Sequence, residues 1–200
     1  MKKLFLLLAV SLVCSISYSR GKSGFAAGAG YALMSLKESA GGGLSQTMNF
    51  NGVQAGADYT FSELMGPVSL TPGIRYFYGK NNADKTSETV HDIQIPVDFS
   101  WGAELGPVYV FLYAGPSFAF NVEWAQSAGG KVTSFYSTEN GGGSNRFDVK
   151  LGGGAGVVFN GAVRLTTGYR AGLLNVCKGD FAKYCTIRRS QFTVSLAYCF

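Results

Sequence analysis

The sequence predicts an all-β fold, an eight-stranded antiparallel up-and-down barrel that crosses a membrane. Three observations indicate it. Apolar and polar residues alternate in eight segments, the amino-terminal segment has the parts of a secretory signal peptide, and the last strand ends on an aromatic residue. The segments have 10 to 14 residues, enough for a tilted strand, which needs about 9–11 to cross a bilayer.

The composition fits strands with one face on lipid and one on a polar lumen. Charged residues make up 14% of the 200 residues, against about 25% in soluble domains. The chain contains 28 glycines and has a net charge of +5, which falls when Lys2 and Lys3 leave with the signal peptide. The remaining charge is small, so the sequence does not indicate a nucleic-acid partner.

The amino terminus predicts export. Two lysines precede an apolar run over residues 4–13 and then a group of small residues. The run is shorter than the about 20 residues of a membrane helix. We expect cleavage after Ser19, or alternatively after Ser17. Residues 1–19 are then the signal peptide, and residues 20–200 form one barrel domain.

The first four strands are predicted from the alternation of apolar and polar residues with a period of two. The fourth alternates most strictly, because Ile93, Ile95 and Val97 lie on one face and Gln94 on the other. Pro72 conflicts locally with the third strand, since proline weakens a central strand of a soluble sheet. These four strands are predicted over residues 24–34, 52–61, 67–79 and 92–101.

The last four strands are defined partly by their connections. In the fifth strand both faces are apolar, and we place Val110 and Leu112 outward and Phe111 and Tyr113 inward. An Asn-Gly pair at 160–161 is a strong two-residue hairpin signal between the sixth and seventh strands. These four strands are predicted over residues 107–120, 147–159, 162–173 and 191–200.

The predicted connections alternate between long and short, as in outer-membrane barrels, which have long outer loops and short periplasmic turns. An even number of strands then puts both chain ends on the periplasmic side. Aromatic residues cluster near the strand ends, where interfacial girdles lie. The long connections are predicted at residues 35–49, 80–90, 121–146 and 174–187.

Charged residues lie on the face opposite the large apolar residues. A soluble barrel of the lipocalin kind would turn the apolar face inward, but eight strands leave room for little more than the lumenal side chains themselves. We place the charges inside and expect them to pair, since an unpaired charge in a closed lumen is costly. A self-satisfied plug is favoured over a pore or pocket. The lumenal charges are Asp58, Arg75, Asp98, Lys150, Arg164 and Arg170.

The last strand resembles the carboxy-terminal signal of bacterial outer-membrane barrels, which the barrel-insertion machinery reads. The resemblance implies that machinery as a partner. Apolar or aromatic residues occupy alternate positions up to the final phenylalanine. The positions are Phe192, Val194, Leu196, Tyr198 and Phe200.

Two cysteines flank a short polar segment in the fourth long connection. In an oxidising compartment Cys177 and Cys185 are candidates for one loop disulfide. Spacing alone does not fix the required geometry, so a pair of free thiols stays an alternative. Cys199 lies on the inner face of the last strand.

Five short segments occur in an order that resembles one family. They read LTPGIRY, IQIPV, YAGP, LGGGAG and YRAGL, and they span nearly the whole mature chain. With them the chain resembles the PorT-like outer-membrane β-barrel proteins. The resemblance implies an eight-stranded barrel in the outer membrane, but no particular reaction. The segments are residues 70–76, 93–97, 113–116, 151–156 and 169–173.

The leading functional hypothesis is a non-enzymatic barrel that anchors surface-exposed loops in a structural, adhesive or interaction role, in contact with outer-membrane lipid. The loops would contact a host surface or another envelope protein. In the third loop Trp124, Phe135 and Tyr136 are candidate contact residues. Packing of these aromatics on the barrel rim is the favoured alternative.

Two other functions stay open. The lumenal charges are compatible with a narrow pore for small solutes. A lipid-modifying enzyme would need a nucleophile and a base, and His91, the only histidine, has Ser87, Glu88 and Asp92 nearby in sequence. The glycine runs have no Lys-Ser/Thr pair or helix pattern after them, so they are not phosphate loops. The sequence predicts no cofactor and no metal.

Overall fold

The structure confirms the eight-stranded antiparallel barrel. A computed structural model describes residues 23–40, 45–65, 67–83, 86–136, 144–178, 182 and 185–200. The expected signal peptide lies outside the described residues. The strands are β1 (Gly24–Ala40), β2 (Ser45–Met65), β3 (Val68–Ala83), β4 (Thr86–Leu105), β5 (Val108–Ala128), β6 (Lys131–Ser134), β7 (Phe147–Phe159), β8 (Val163–Gly172) and β9 (Cys185–Cys199).

Eight of these strands form a closed ring. Its order is β4-β3-β2-β1-β9-β8-β7-β5, and pairing of β4 with β5 closes it. The short strand β6 pairs only with the end of β5. Closure gives each strand two neighbours, which a sheet in lipid requires because no water is present to satisfy an open edge. Among the described residues no helix is long and apolar enough to cross a membrane.

Several strands run further than the sequence predicts. Most residues of the predicted connections 35–49 and 80–90 lie in strands. In the first, β1 continues to Ala40 and β2 begins at Ser45, and in the second, β3 continues to Ala83 and β4 begins at Thr86. The alternation of large apolar and small or polar residues stops where the strands leave the apolar band, although their hydrogen bonding continues. The predicted connection 121–146 likewise begins as strand, with β5 reaching Ala128. The predicted strand 147–159 matches β7.

We name the two ends of the barrel by their connections. The turn end carries the tight connections between β4 and β5 and between β7 and β8, which include Gly106 and the Asn160–Gly161 hairpin at positive φ. The loop end is the opposite end, where β1, β2, β4 and β5 extend past the apolar band. Asn160 has φ 45°, a conformation that asparagine and glycine adopt more readily than other residues.

The outer face of the ring is apolar and exposed. Trp101 is 56% exposed and Leu196 is 57% exposed, an inversion of the usual soluble pattern that fits contact with lipid. On β5 the outward residues include Val110 and Leu112, as predicted. Further exposed apolar residues of this band are Phe25, Val53, Ile74, Ile95, Phe99, Phe118, Leu151, Leu165, Tyr169, Phe192, Val194 and Tyr198.

Glycines on neighbouring strands make room for the inward aromatic residues of β5. A side chain at Gly156 would collide with the ring of Phe111, and one at Gly168 would collide with the phenol of Tyr113. The narrow lumen therefore accommodates these rings only because the facing positions lack a Cβ.

An apolar cluster fills the lumen at the loop end, and we call it the apolar cap. Trp124 is 5% exposed, and its ring stacks on Phe135 at 4.3 Å between centroids. The three aromatics of the third connection therefore pack on the apolar cluster inside the barrel, whereas the favoured alternative expected them on the barrel rim at the membrane interface. The cap consists of Ala32, Met34, Leu36, Phe50, Phe77, Val90, Trp124 and Val176, with Met48, Phe135, Tyr136 and Ile187 against it.

We expect Leu196→Arg to destabilise the barrel by about 2–4 kcal/mol, since it places a cation near the middle of the lipid-facing band. Leu196 pairs with Ala29 of β1 and Leu165 of β8, both in that band. Urea titration of the chain in lipid vesicles measures the free energy of unfolding. Asn82→Arg, on an exposed position past the band opposite Ser87, should cost about 0–1 kcal/mol. Equal losses for the two variants would contradict the proposed position of the bilayer.

Candidate functional site

The lumen contains the predicted charges in two layers. In the layer nearer the turn end, Arg164 donates to Asp58 with Nη2 and Oδ2 2.5 Å apart. Nη2 of Arg170 lies 2.7 Å from both carboxylate oxygens of Asp98. The guanidinium of Arg75 lies 3.9 Å from the same carboxylate. The structure therefore brings five of the six predicted residues together in one layer.

The sixth predicted residue, Lys150, lies in a second layer nearer the loop end. Its Nζ is 2.9 Å from Oδ2 of Asp92, and both side chains are 0% exposed. Gln94 donates to Asp92 and to Gln191, at 3.1 Å and 2.6 Å. The strand alternation that places Gln94 inward also places Asp92 inward, two residues earlier, but sequence reasoning missed Asp92 as the partner of Lys150. The signal in the sequence was that Asp92 and Lys150 are both predicted to face inward and have opposite charges.

Sequence reasoning also missed Arg189. This residue is 1% exposed and donates to the phenol oxygen of Tyr136 at 3.1 Å. The hydroxyl of Tyr136 in turn donates to Asn121 at 2.6 Å. Burial raises the pKa of Tyr136, although the positive charge of Arg189 opposes the shift, so the phenol stays neutral and able to donate. Arg189 shares its face with Gln191, but the last strand was predicted to begin only at residue 191.

The residues around His91 do not come together as a catalytic group. His91 lies on the outer face, where Nδ1 contacts the hydroxyl of Tyr76 and the ring lies 5.0 Å from Tyr78. The adjacent Asp92 points into the lumen, because neighbouring residues of a strand face opposite sides. Glu88 accepts a hydrogen bond from Trp124 at 3.2 Å. No group of three potential metal ligands occurs in the described ranges.

The two loop cysteines are close together. Sγ of Cys177 lies 3.2 Å from Sγ of Cys185, and both are free thiols in the structure. Cys185 also lies 3.5 Å from a carboxylate oxygen of Glu38. The third described cysteine, Cys199, is in the wall of a cavity at the turn end.

The last strand carries its apolar residues outward and pairs with β1. Four of the five residues of the proposed insertion signal are exposed on the outer face, and Phe200 donates its backbone N–H to Phe25. The pattern noticed in the sequence is therefore a continuous apolar stripe on the closing strand. Its exposed members are Phe192, Val194, Leu196 and Tyr198.

The loop end presents exposed cations, and we call them the basic rim. Lys37 of β1 is the direct cross-strand partner of Arg188 of β9, and both are exposed. Among the described residues of this end, the only exposed acid is Glu123. The basic rim consists of Lys37, Lys80, Lys131, Arg146, Lys178 and Arg188.

Comparison with known proteins identifies relatives of the fold. Residues 8–178 match the family model described as an outer membrane protein beta-barrel domain. The crystal structure of Neisserial surface protein A (NspA) is similar at 17% identity, with 89% of this chain and 99% of that chain covered and a TM-score of 0.52. No curated protein sequence matches the chain.

Two further solved structures are similar at low identity. One is Ail, the attachment invasion locus protein of Yersinia pestis, in complex with the heparin analogue sucrose octasulfate. It is 14% identical, with 90% and 99% of the two chains covered and a TM-score of 0.50. The other is the outer membrane enzyme PagL, with 11% identity, 83% and 97% coverage and a TM-score of 0.48. Likeness at these identities shows the fold alone.

We expect Lys150→Met to lower the free energy of unfolding by about 3–5 kcal/mol, because Asp92 stays buried without its cation. Unfolding in urea measures the loss. The double variant Asp92→Asn/Lys150→Met should regain most of it, since both charges are then gone. Lys131→Met, which removes an exposed lysine opposite Ala128, should change stability by less than about 0.5 kcal/mol. A double variant as unstable as Lys150→Met would contradict the pairing.

We also predict that Cys177 and Cys185 form a disulfide when the mature chain folds under oxidising conditions. The sulfur atoms are already near each other, so side-chain rotation suffices to reach bonding distance. Mass spectrometry after alkylation should find these two thiols blocked and Cys199 carrying the alkyl group. Cys199→Ser should leave the linkage intact. Alkylation of all three thiols in oxidised protein would contradict the prediction.

Proposed function

Because the chain belongs to the outer membrane protein beta-barrel domain family, we propose that it is a non-enzymatic barrel whose basic rim binds polyanionic molecules outside the cell. It is an integral protein of the outer membrane. In this proposal the turn end faces the periplasm and the loop end faces outward. Sulfated or phosphorylated glycans are the ligand class that fits the charge of the rim.

The observation that supports this proposal most directly is that Lys37 and Arg188 are direct cross-strand partners. Like charges directly across a strand pair destabilise a sheet, and the described residues place no carboxylate in an ion pair with either side chain. A bound anion would remove the repulsion. Lys80, on the outer face of β3, adds a positive charge two strands from Lys37.

The rigidity of the loop end supports binding. The rim residues Lys37, Lys80 and Arg188 lie on paired strands, so little backbone conformational entropy is lost when a ligand binds them. The bound heparin analogue of Ail is a polyanion, which agrees with this ligand class at the level of fold analogy only.

The two alternative functions have less support. For a pore, a polar path would have to pass the apolar cap, where Phe50 and Phe77 are fully buried. For a lipid-modifying enzyme, His91 would need a partner for proton transfer, but Asp92 points the other way and pairs with Lys150. Both arrangements favour a closed, non-catalytic barrel.

We further infer that the chain is a PorT-like barrel and that it contacts the barrel-insertion machinery and outer-membrane lipid. The five short sequence segments support a place among the PorT-like barrels within the family. The outward stripe of β9, ending at Phe200, supports recognition by the barrel-insertion machinery. The exposed apolar band supports contact with outer-membrane lipid along the full circumference.

We expect refolded protein to bind immobilised heparin, and the variant Lys37→Gln/Arg188→Gln to elute at lower salt concentration. Each exposed ion pair contributes about 0.2–1 kcal/mol, so affinity should fall several-fold. Salt screens such contacts, and a salt gradient measures the difference.

Glu123→Gln is the matched control, because it removes the exposed acid and should leave elution unchanged or delay it. Heat-modifiability on gels verifies that every variant is folded. Identical elution of wild type and the double variant would refute the assignment of the rim. Binding only to lipopolysaccharide, with none to heparin, would assign the rim to lipid phosphates and also refute the glycan proposal.

A further inference from the structure

We propose that the lumen near the turn end binds one small monovalent anion, of halide or carboxylate chemistry, against the guanidinium of Arg75. The site lies at the opposite end of the barrel from the basic rim, on the other side of the apolar cap. It is therefore independent of the proposed glycan binding.

We call the layer of charges nearer the turn end the lower layer and the layer nearer the loop end the upper layer. The charge balance of the lower layer motivates the site. Three guanidinium groups share two carboxylates, those of Asp58 and Asp98. Both oxygens of Asp98 already receive hydrogen bonds from Arg170, which leaves Arg75 with a single ionic contact at 3.9 Å. Its side chain is only 22% exposed, so one positive charge lacks a close counter-charge in a confined space.

Comparison with the upper layer indicates that the excess of positive charge is confined to the lower layer. There the cations Lys150 and Arg189 are equal in number to the acids Asp92 and Asp148, all four of them buried, and Lys150 contacts Asp92 at 2.9 Å. The barrel therefore balances its charges where water is excluded. Among the described lumenal residues, the cations outnumber the acids where the lumen opens toward the turn end, and a mobile ion can correct the excess there.

Cavities give an anion room beside Arg75. Two small cavities, of about 30 Å³ and 40 Å³, are both lined by Arg75 and Arg164. The larger of the two shares Thr71, Ser100 and Arg164 with a cavity of about 90 Å³ at the turn end. The space beside the guanidinium of Arg75 therefore adjoins the cavity at the turn end, through which we propose that the ion enters.

The polar wall of these cavities suits a hydrated anion of low charge. Hydroxyl groups of Thr71, Ser100 and Thr166 line the larger of the two small cavities and can donate hydrogen bonds to an anion. Oδ1 of Asp58 and Oε1 of Gln54 are buried acceptors with no hydrogen-bond partner among the described residues, so they require donors, which the water around an ion supplies.

The acids that face the space limit the charge of the ligand. Asp58 and Asp98 flank Arg75, and Glu104 lies exposed at the mouth. A single negative charge neutralises the layer, whereas a divalent ion such as sulfate would leave it negative beside two carboxylates. This favours chloride, bromide, formate or the carboxylate of a small metabolite.

The test uses chloride as the probe. We expect the NMR line of free chloride to broaden when folded wild-type protein in detergent micelles is added, and formate or bromide at equal concentration to reduce the broadening. Arg75→Gln should remove the part of the broadening that formate displaces. Arg75→Lys, which keeps the charge, should retain part of the effect.

Arg188→Gln is the matched control, because it removes one exposed arginine from the basic rim and should leave the competition by formate unchanged. Broadening equal in wild type and in folded Arg75→Gln would overturn the proposal, as would displacement by sulfate as effective as by formate. If Arg75→Gln does not fold, crystals of wild type grown in bromide decide, through an anomalous peak beside Arg75 or its absence. Heparin binding is unaffected by either result, so the two proposals fail separately.

Discussion

The pairing of β1 with β9 is the constraint on which the rest of the structure depends. In lipid no backbone group can turn to water for a hydrogen bond, so the sheet must close on itself. Closure brings the two ends of the chain together over a register that runs from Ala26–Cys199 to Ala40–Cys185. Once the ring exists, one face of every strand is committed to lipid and the other to a narrow lumen. The inversion of polarity, with Leu196 outside and Lys150 inside, follows from that commitment.

A ring of eight strands leaves a lumen that side chains must fill, and this chain fills it by zones. Aromatic rings lie against glycines near the turn end, charged pairs occupy the middle, and the apolar cap occupies the loop end. Each zone suits its surroundings. The buried pair of Lys150 and Asp92 is acceptable because neighbouring amides also bond it, since a pair without such support would repay little of its desolvation cost. The cap needs no such support, and its rings keep water away from the upper layer of charges.

Sequence reasoning recovered those parts of the fold in which polarity changes from residue to residue. The strand 147–159 was placed correctly because Leu151 and Val157 alternate with glycine and lysine. Reasoning failed where a strand continues beyond the lipid, because the outward residues there, such as Lys37 and Thr47, are as polar as a loop. Arg189 was missed for the same reason, since it lies on strand between the predicted connection 174–187 and the predicted start of the last strand at residue 191, where consecutive residues are polar. The partner of Lys150 is a fact of register across the barrel, and no local pattern contains it.

The two cationic features that carry the proposals have opposite relations to stability. In the paired charges of the lumen each charge compensates its partner. No ligand is therefore needed to explain why these residues are present. Arg75 and the opposed pair of Lys37 and Arg188 are different, because each leaves positive charge near positive charge with no described carboxylate to offset it fully. Such arrangements lower stability, and glutamine at these positions would avoid the cost while still suiting a polar strand. An anion at each end would remove that cost. Because the apolar cap separates the two ends, neutralising one cannot neutralise the other.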